Sequence, residues 1–239
     1  MQFRVGDAAV GPKATLWLCA YSGVSLPTHN YNIKELTSRP NLSYHDKGGD
    51  ANIDRARSKV ASWFLADEDG GDVLLMVDSD QAWEVGDLKH IAKRALEHEA
   101  VVGGVYPKRI FGQGPAMRVL KGKVKGKFVV GKDDLMIPAE FVGTGFIAIP
   151  RTILTKIGDG LPEVAGGYKP FFMPEVWKRH DGVLEYPTDD AAFGHRVTNA
   201  GFKVFANTYP KLTHIGDYEF RMLDAMNELP EDRHVTLTF

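Results

Sequence analysis

Asp78 and Asp80 stand at the end of the apolar run Val73-Leu74-Leu75-Met76-Val77, separated by Ser79. On an extended backbone, side chains at i and i+2 leave from the same side, so both carboxylates can reach one cation. Alone they repel each other; a divalent metal carrying a diphosphate turns them into a clamp. The run itself follows the turn-forming Asp69-Gly70-Gly71-Asp72 and has the length and composition of a strand buried on both faces of a parallel sheet. In open α/β sheets, ligands bind in the crevice beyond the carboxyl ends of the strands. The acidic pair falls at such an end. Asp-x-Asp after an apolar run also occurs as plain turn or helix-cap chemistry, so its weight depends on what surrounds it.

Several elements could position the pair. Ala14 to Ala20 reads as a first strand, and the loop Ser25 to Asn30 that follows contains Pro27 and Thr28. In nucleotide-binding α/β proteins this first strand-to-helix turn receives base and ribose; a plain surface loop is the competing reading. A short strand at Asn41 to His45 precedes a helix expected over Ala51 to Ala66, with Asp50 as its N-cap. Ile53, Ala56, Val60, Trp63 and Phe64 give that helix an apolar face. Arg55, Arg57 and Lys59 fall off it, on a side expected to be solvated, from which the planar fork of an Arg could meet a diphosphate. After Asp80, a helix is expected over Val85 to His98, then a strand over Ala100 to Tyr106 whose paired glycines permit close approach of a ligand. Pro107-Lys108-Arg109 ends that strand with positive charge. Strand, helix, strand, helix, strand is the order of a doubly wound, mostly parallel sheet.

Further along, Lys121, Lys123, Lys125 and Lys127 alternate with Gly122, Val124 and Gly126. On a strand they would line one face, either protecting an edge from aggregation or offering a row of ammonium groups to a polyanion. Phe141 to Arg151 reads as a strand opened by Gly143-Thr144-Gly145, followed by a short helix to Ile157. Gly158 to Gly182 has little periodicity, and loops of that length inside a compact domain are usually functional lids or binding loops. Asp189-Asp190 open a helix to about Ala200, with Gly201 after it. Lys203 to Ala206 is the last predicted strand, followed by Lys211 to Gly216 and a polar covering tail.

With 239 residues the chain can bury a sizeable core, and one domain over 1–239 is the simplest reading, with a core at about 14–216 and the tail at 217–239. Its 29 basic and 31 acidic residues, a net charge of −2, carry no global signature of nucleic-acid binding. The single Cys19 excludes an internal disulfide and reads as a buried strand thiol. The segment Met1 to Asp7 lacks the apolar core of a signal peptide. No run approaches the ~18 apolar residues of a membrane helix. No membrane insertion and a cytoplasmic location (that of a bacterial host, if phage-encoded) are therefore expected.

Taken in order, these stretches resemble the GT-A-fold, metal-dependent glycosyltransferases that use nucleotide-sugar donors. Ala56-Arg57-Ser58 is similar to the Ala-Arg-Asn stretch on the helix before the acidic strand, with Ser for Asn. Asp78-Ser79-Asp80 resembles the Asp-x-Asp metal motif. Val102-Gly103-Gly104-Val105-Tyr106-Pro107 is similar to the next strand, and Gly143 to Ile149 to the strand flanking donor sugar and acceptor. Thr188-Asp189-Asp190-Ala191-Ala192-Phe193 resembles the Glu-Asp acidic motif, with Asp189 for Glu. Lys211-Leu212-Thr213-His214-Ile215-Gly216 is similar to the segment whose His completes the metal site.

The resemblance implies an α/β, GT-A-like fold with a mostly parallel central sheet, flanking helices and a small additional antiparallel β element. It implies Mn²⁺ (or Mg²⁺) held by Asp78, Asp80 and His214, the imidazole favouring Mn²⁺. The nucleotide sugar, a UDP-sugar, would meet Pro27, Thr28, Arg57, Asp78, Ser79, Gly143, Thr144 and Gly145. Asp190, with Asp189 beside it, would be the base that takes the acceptor proton. The N-terminus of its helix should lower its pKa and weaken it as a base, making proton removal concerted with attack. The expected activity is a hexosyl- or pentosyltransferase acting on an acceptor hydroxyl. The acceptor is left open between hydroxymethylated, phage-type DNA reached through the four lysines, a polysaccharide precursor and a protein. A sugar nucleotidyltransferase is the rival enzyme; it usually carries a Gly-rich, basic loop after the first strand, whereas Tyr21 to Asn30 has one Gly and no Lys or Arg. A nucleotide-sugar binding module without turnover is the third reading.

Overall fold

The structure, a computed structural model, describes residues 13–20, 42–48, 50–120, 129–178, 181–216 and 219–225. The expectations for Pro27 and Thr28 and for Lys121, Lys123, Lys125 and Lys127 lie outside these residues, as does most of the tail. The strands are β1 (Ala14–Ala20), β2 (Leu42–Gly48), β3 (Val73–Asp78), β4 (Gln81–Ala82), β5 (Val101–Gly104), β6 (Met117–Val119), β7 (Met136–Val142), β8 (Phe146–Pro150), β9 (Trp177–Lys178), β10 (Leu184–Glu185), β11 (Val204–Asn207), β12 (Thr213–Ile215) and β13 (Glu219–Phe220). The helices are α1 (Ile53–Ala66), α2 (Val85–His98), α3 (Arg151–Asp159) and α4 (Asp189–Asn199).

Eight strands form the central sheet in the order β2-β1-β3-β8-β5-β11-β7-β6. β3 lies at its heart with Val73 to Val77 all buried, as a continuous run of Val, Leu and Met requires. Its neighbours differ in direction: β1 runs parallel to it, but β8 runs antiparallel, with Val77 opposite Phe146. The sheet is thus mixed, because β8 re-enters beside β3 in the reverse direction after Gly143-Thr144-Gly145, where one strand was expected across the glycines. β7 pairs antiparallel with β11 over Met136 to Ala139 and then brings Val142 against β5. That crossing needs Gly103, since a Cβ there would lie 2.6 Å from Val142 Cγ2.

The core divides into two clusters. One contains Val60, Phe64, Met76, Phe171, Phe172 and Phe193, and the other Leu75, Trp83, Ile91, Tyr106 and Phe146. Phe171 and Phe172 come from the aperiodic segment after α3. Ser58 Oγ accepts from the Phe172 N–H (3.0 Å) and Ser62 Oγ from the Lys169 N–H (2.9 Å), so α1 pins part of this segment as core.

The expected N-cap of α1 is corrected. Asn52 caps it, accepting from the Arg55 N–H. Asp50 sits just outside, where Arg55 and Lys59 hold its carboxyl well below the usual range. The expected apolar face is corrected too: Ile53 and Trp63 are 39% and 41% exposed, while Arg57 is only 5% exposed. Periodicity assigns faces by hydropathy, and a guanidinium that meets carboxylates can be buried against it.

A small sheet of order β13-β12-β4 stands beyond the end of β3. β4 begins directly after Asp80, and its pairing with β12 sets His214 opposite Gln81. Asp87 steadies this corner by accepting from the N–H groups of Glu84 (3.0 Å) and Lys211 (3.3 Å). Burial, helped by the nearby charge of Glu84, pushes its carboxyl up to about 6. A carboxyl whose folded pKa exceeds its unfolded value favours folding when protonated, so its contribution is lost as pH rises from about 4 through about 6. With allowance for solvent screening this is on the order of 1–2 kcal/mol. Asp87→Asn keeps an acceptor oxygen and should gain that much relative to the unsubstituted protein at pH 7.5, the gain vanishing at pH 4, as urea melts at both values will measure.

Candidate active site

α1 carries Arg57 to the end of β3, where its guanidinium gathers carboxylates from two distant points of the chain. Nη2 donates to Asp78 Oδ2 (2.6 Å) and Oδ1 (2.8 Å), Nη1 pairs with Asp189, and Asp190 Oδ1 lies 3.7 Å from Nη1. Burial raises the Asp78 carboxyl above its ordinary value, against the opposing pull of Arg57. Arg57, expected on a solvated surface, is instead buried and forms the counter-charge of this cluster.

Thr188 caps α4 by accepting from the Ala191 N–H, which leaves Asp189 and Asp190 as first-turn residues rather than caps. Asp190 Oδ1 accepts from both the N–H (3.0 Å) and the hydroxyl (2.6 Å) of Thr144. Burial raises the Asp190 carboxyl, and the neighbouring Asp189 charge raises it further, above the pull of Arg57 and Thr144. This reverses the expectation drawn from the helix N-terminus: the dipole is worth fractions of a kcal/mol at a surface, less here than desolvation beside a like charge.

Gly143 and Gly145 fold around Tyr106. A Cβ at Gly143 would fall 2.1 Å from the Tyr106 Oη; one at Gly145 would fall 2.9 Å from both that oxygen and Asp78 Oδ2. Only glycine permits the approach. The Gly145 N–H donates to the Tyr106 Oη (3.1 Å), and the Asp78 N–H to the Gly145 carbonyl (2.9 Å), which joins the turn to the end of β3. Burial pushes the phenol well above its usual range, so it stays protonated. The Tyr106 ring also meets the His214 ring edge-on at 5.5 Å. The sequence placed Tyr106 only at the end of a strand, and its role at the site did not emerge there; its place directly after paired glycines was the available signal.

On the other side of Ser79, Asp80 Oδ2 lies 3.2 Å from Arg109 Nη1 and 3.4 Å from His214 Nε2. Burial would raise the Asp80 carboxyl, but the His214 hydrogen bond and the charges of His214 and Arg109 hold it below its ordinary value. His214 Nδ1 is within 3.0 Å of the Pro107 carbonyl, so that nitrogen carries a proton and donates. Asp80 and His214 are therefore brought together, whereas both oxygens of Asp78 are turned to Arg57. Among the described residues, no three His, Cys, Asp or Glu side chains gather as a metal cluster. No described helix is long and apolar enough to cross a membrane.

Comparison with known protein families and with curated proteins finds no match. Among solved structures, the chain is similar to A197 from STIV, with a TM-score of 0.56 at 17% identity over 91% of this chain and 98% of that one. A Bacillus anthracis protein assigned as a glucose-1-phosphate thymidylyltransferase, in complex with a sucrose, has a TM-score of 0.42 at 10% identity, covering 84% of this chain and 89% of its own. An apo UDP-glucose pyrophosphorylase has 0.40 at 7%, covering 84% and 76%. The fold is α/β and GT-A-like, with a mixed central sheet flanked by helices, and is shared with A197 from STIV.

Proposed function

We propose that this protein is a glycosyltransferase that moves a sugar from a nucleotide-diphosphate donor, a UDP-sugar, to an acceptor hydroxyl with the help of Mn²⁺ (or Mg²⁺). One observation carries the reading: the β4–β12 pairing sets His214 against Asp80, beside the buried cluster of Arg57, Asp78, Asp189 and Asp190.

The residues present fit a divalent cation at Asp80 and His214. Asp80 Oδ1 is buried with no hydrogen-bond partner among the described residues. A neutral His214, with its proton on Nδ1, would offer its Nε2 lone pair to a cation beside Asp80. One oxygen and one imidazole donor suit Mn²⁺ better than Mg²⁺. When bound, the cation would neutralise charge on the departing diphosphate as a Lewis acid.

The chain's own residues supply the rest. Thr144 holds Asp190 through Oδ1, leaving Oδ2 to take the acceptor hydroxyl's proton as that oxygen bonds to the anomeric carbon and the bond to the diphosphate breaks. The raised pKa of Asp190 makes it a stronger base than an exposed carboxylate. Arg57 keeps Asp78 and Asp189 from repelling it out of position.

Product identity separates this reaction from nucleotidyl transfer. UDP-sugars with Mn²⁺ should yield UDP, by transfer or slow hydrolysis, and UTP with a sugar 1-phosphate should yield no pyrophosphate. Pyrophosphate release without UDP release would overturn the assignment.

A further inference from the structure

Beside α4, on the side of the sheet edge formed by β6 and β7, lies a cavity of about 1120 Å³ that none of the groups above uses. Trp177 and Lys178 of β9 and Glu185 of β10 line it, together with Pro138 to Phe141 of β7. Along α4 it extends from Ala191 through His195 to Thr198, so one end begins at the residue directly after Asp190.

The lining pairs charged and aromatic groups. Arg118 reaches toward two carboxylates, with Nη1 3.4 Å from Glu140 Oε2 and 3.3 Å from Glu185 Oε1, and its guanidinium stacks over Phe141 at 5.1 Å. Glu185 Oε2 accepts from Trp177 Nε1 (3.3 Å), and the Trp177 ring packs against His195 at 4.4 Å. These hydrogen bonds are long. A carboxylate has about four acceptor sites, so both Glu side chains keep lone pairs for a ligand, as the guanidinium keeps donors.

From this juxtaposition we infer that the cavity is an acceptor trough for a neutral oligosaccharide; the inference rests on the proposed transfer reaction and names its acceptor class. Fixed carboxylates and a guanidinium are the partners that hydroxyl groups need, each hydroxyl being donor and acceptor at once. Aromatic rings between them receive the apolar faces of sugar rings. Ligand pockets of drug size span roughly 300–1,000 Å³, so this one has room for more than one ring. The lining carries both signs, Arg118, Lys178 and Lys203 against Glu140 and Glu185, a mixture suited to hydroxyl groups, whereas a phosphate or uronate chain laid along the trough would face both carboxylates as well as the cations. An oligosaccharide lying here would point its terminal hydroxyl toward the N-terminal turn of α4, where Asp190 is held.

Saturation-transfer NMR on the full chain tests the inference with maltotetraose, cellotetraose, chitotetraose and mannotetraose as neutral probes. A hyaluronan tetrasaccharide and a short DNA duplex serve as anionic probes. At least one neutral probe should bind, and Glu185→Gln should weaken it by about tenfold or more while UDP affinity with Mn²⁺ stays unchanged. Glu140→Gln, at a position 44% exposed on its side chain, gives the same readout should Glu185→Gln melt early. Binding of the anionic probes alone, of no probe, or equal neutral binding by both variants would overturn the trough. Failure of UDP to bind the unsubstituted protein would count instead against the transfer reaction, so the two failures are told apart.

Discussion

Asp190→Asn should lower sugar transfer by about 10²–10⁴-fold, the usual contribution of a positioned base, and leave UDP affinity within about twofold. The substitution is nearly isosteric, and Oδ1 of the Asn can still accept from the N–H and hydroxyl of Thr144, so the end of α4 keeps its place. What disappears is the capacity to take a proton. Asp190 is also a charged neighbour of Arg57 at 3.7 Å, but Asp78 and Asp189 remain to pair with that guanidinium. The pH profile supplies a second check. Because burial and Asp189 raise the carboxyl, the acid limb of kcat/KM should lie above the range of an exposed Asp, activity falling as pH drops through the raised value. UDP-release assays across pH, with calorimetric titration of UDP, measure both effects. Transfer at the unsubstituted rate would remove Asp190 from the mechanism.

Arg57→Met should cost about 3–5 kcal/mol of folding stability at pH 7, the range seen when one partner of a buried ion pair is deleted. The methionine matches the hydrophobic stem of Arg but leaves Asp78 and Asp189 facing each other, with Asp190 close by and no counter-charge. Arg57→Lys should recover only part of the loss, since an ammonium cannot fork to two carboxylates as a guanidinium does. The deficit should shrink as pH falls, because unpaired buried carboxyls take up protons, and the folded variant binds them more tightly than the unfolded chain does. Guanidinium denaturation at pH 7 and pH 5 will show this; a loss below about 1 kcal/mol at pH 7 would mean that Arg57 is not the counter-charge of a buried cluster.

Much of this fold was legible from local pattern. The run Val73 to Val77 reads as a buried strand, α2 follows its apolar periodicity, and α4 runs from its opening Asp pair to just before Gly201 as expected, to within a residue or two. The strand directions were not legible. Nothing in Phe146 to Pro150 distinguishes a parallel from an antiparallel partner, since β8 is buried on both faces either way. At the site, Asp78, Asp80, Thr144, Asp190 and His214 could be named because acidic, glycine-flanked and histidine residues stand out from their neighbours. Arg57 was named but given the wrong surroundings, because hydropathy marks Arg as exposed and its carboxylate partners lie 21 and 132 residues away. β4 has two residues, too few for any periodicity, yet it is what aligns His214 with Asp80.

Calorimetric titration of UDP into Asp80→Asn, with and without Mn²⁺, tests the central claim most directly. The unsubstituted protein should bind UDP about tenfold or more tightly with Mn²⁺ present, and Asp80→Asn should lose that difference while keeping its metal-free affinity. An undiminished Mn²⁺-dependent gain in the variant would contradict the assignment of Asp80 and His214 as the cation-binding pair.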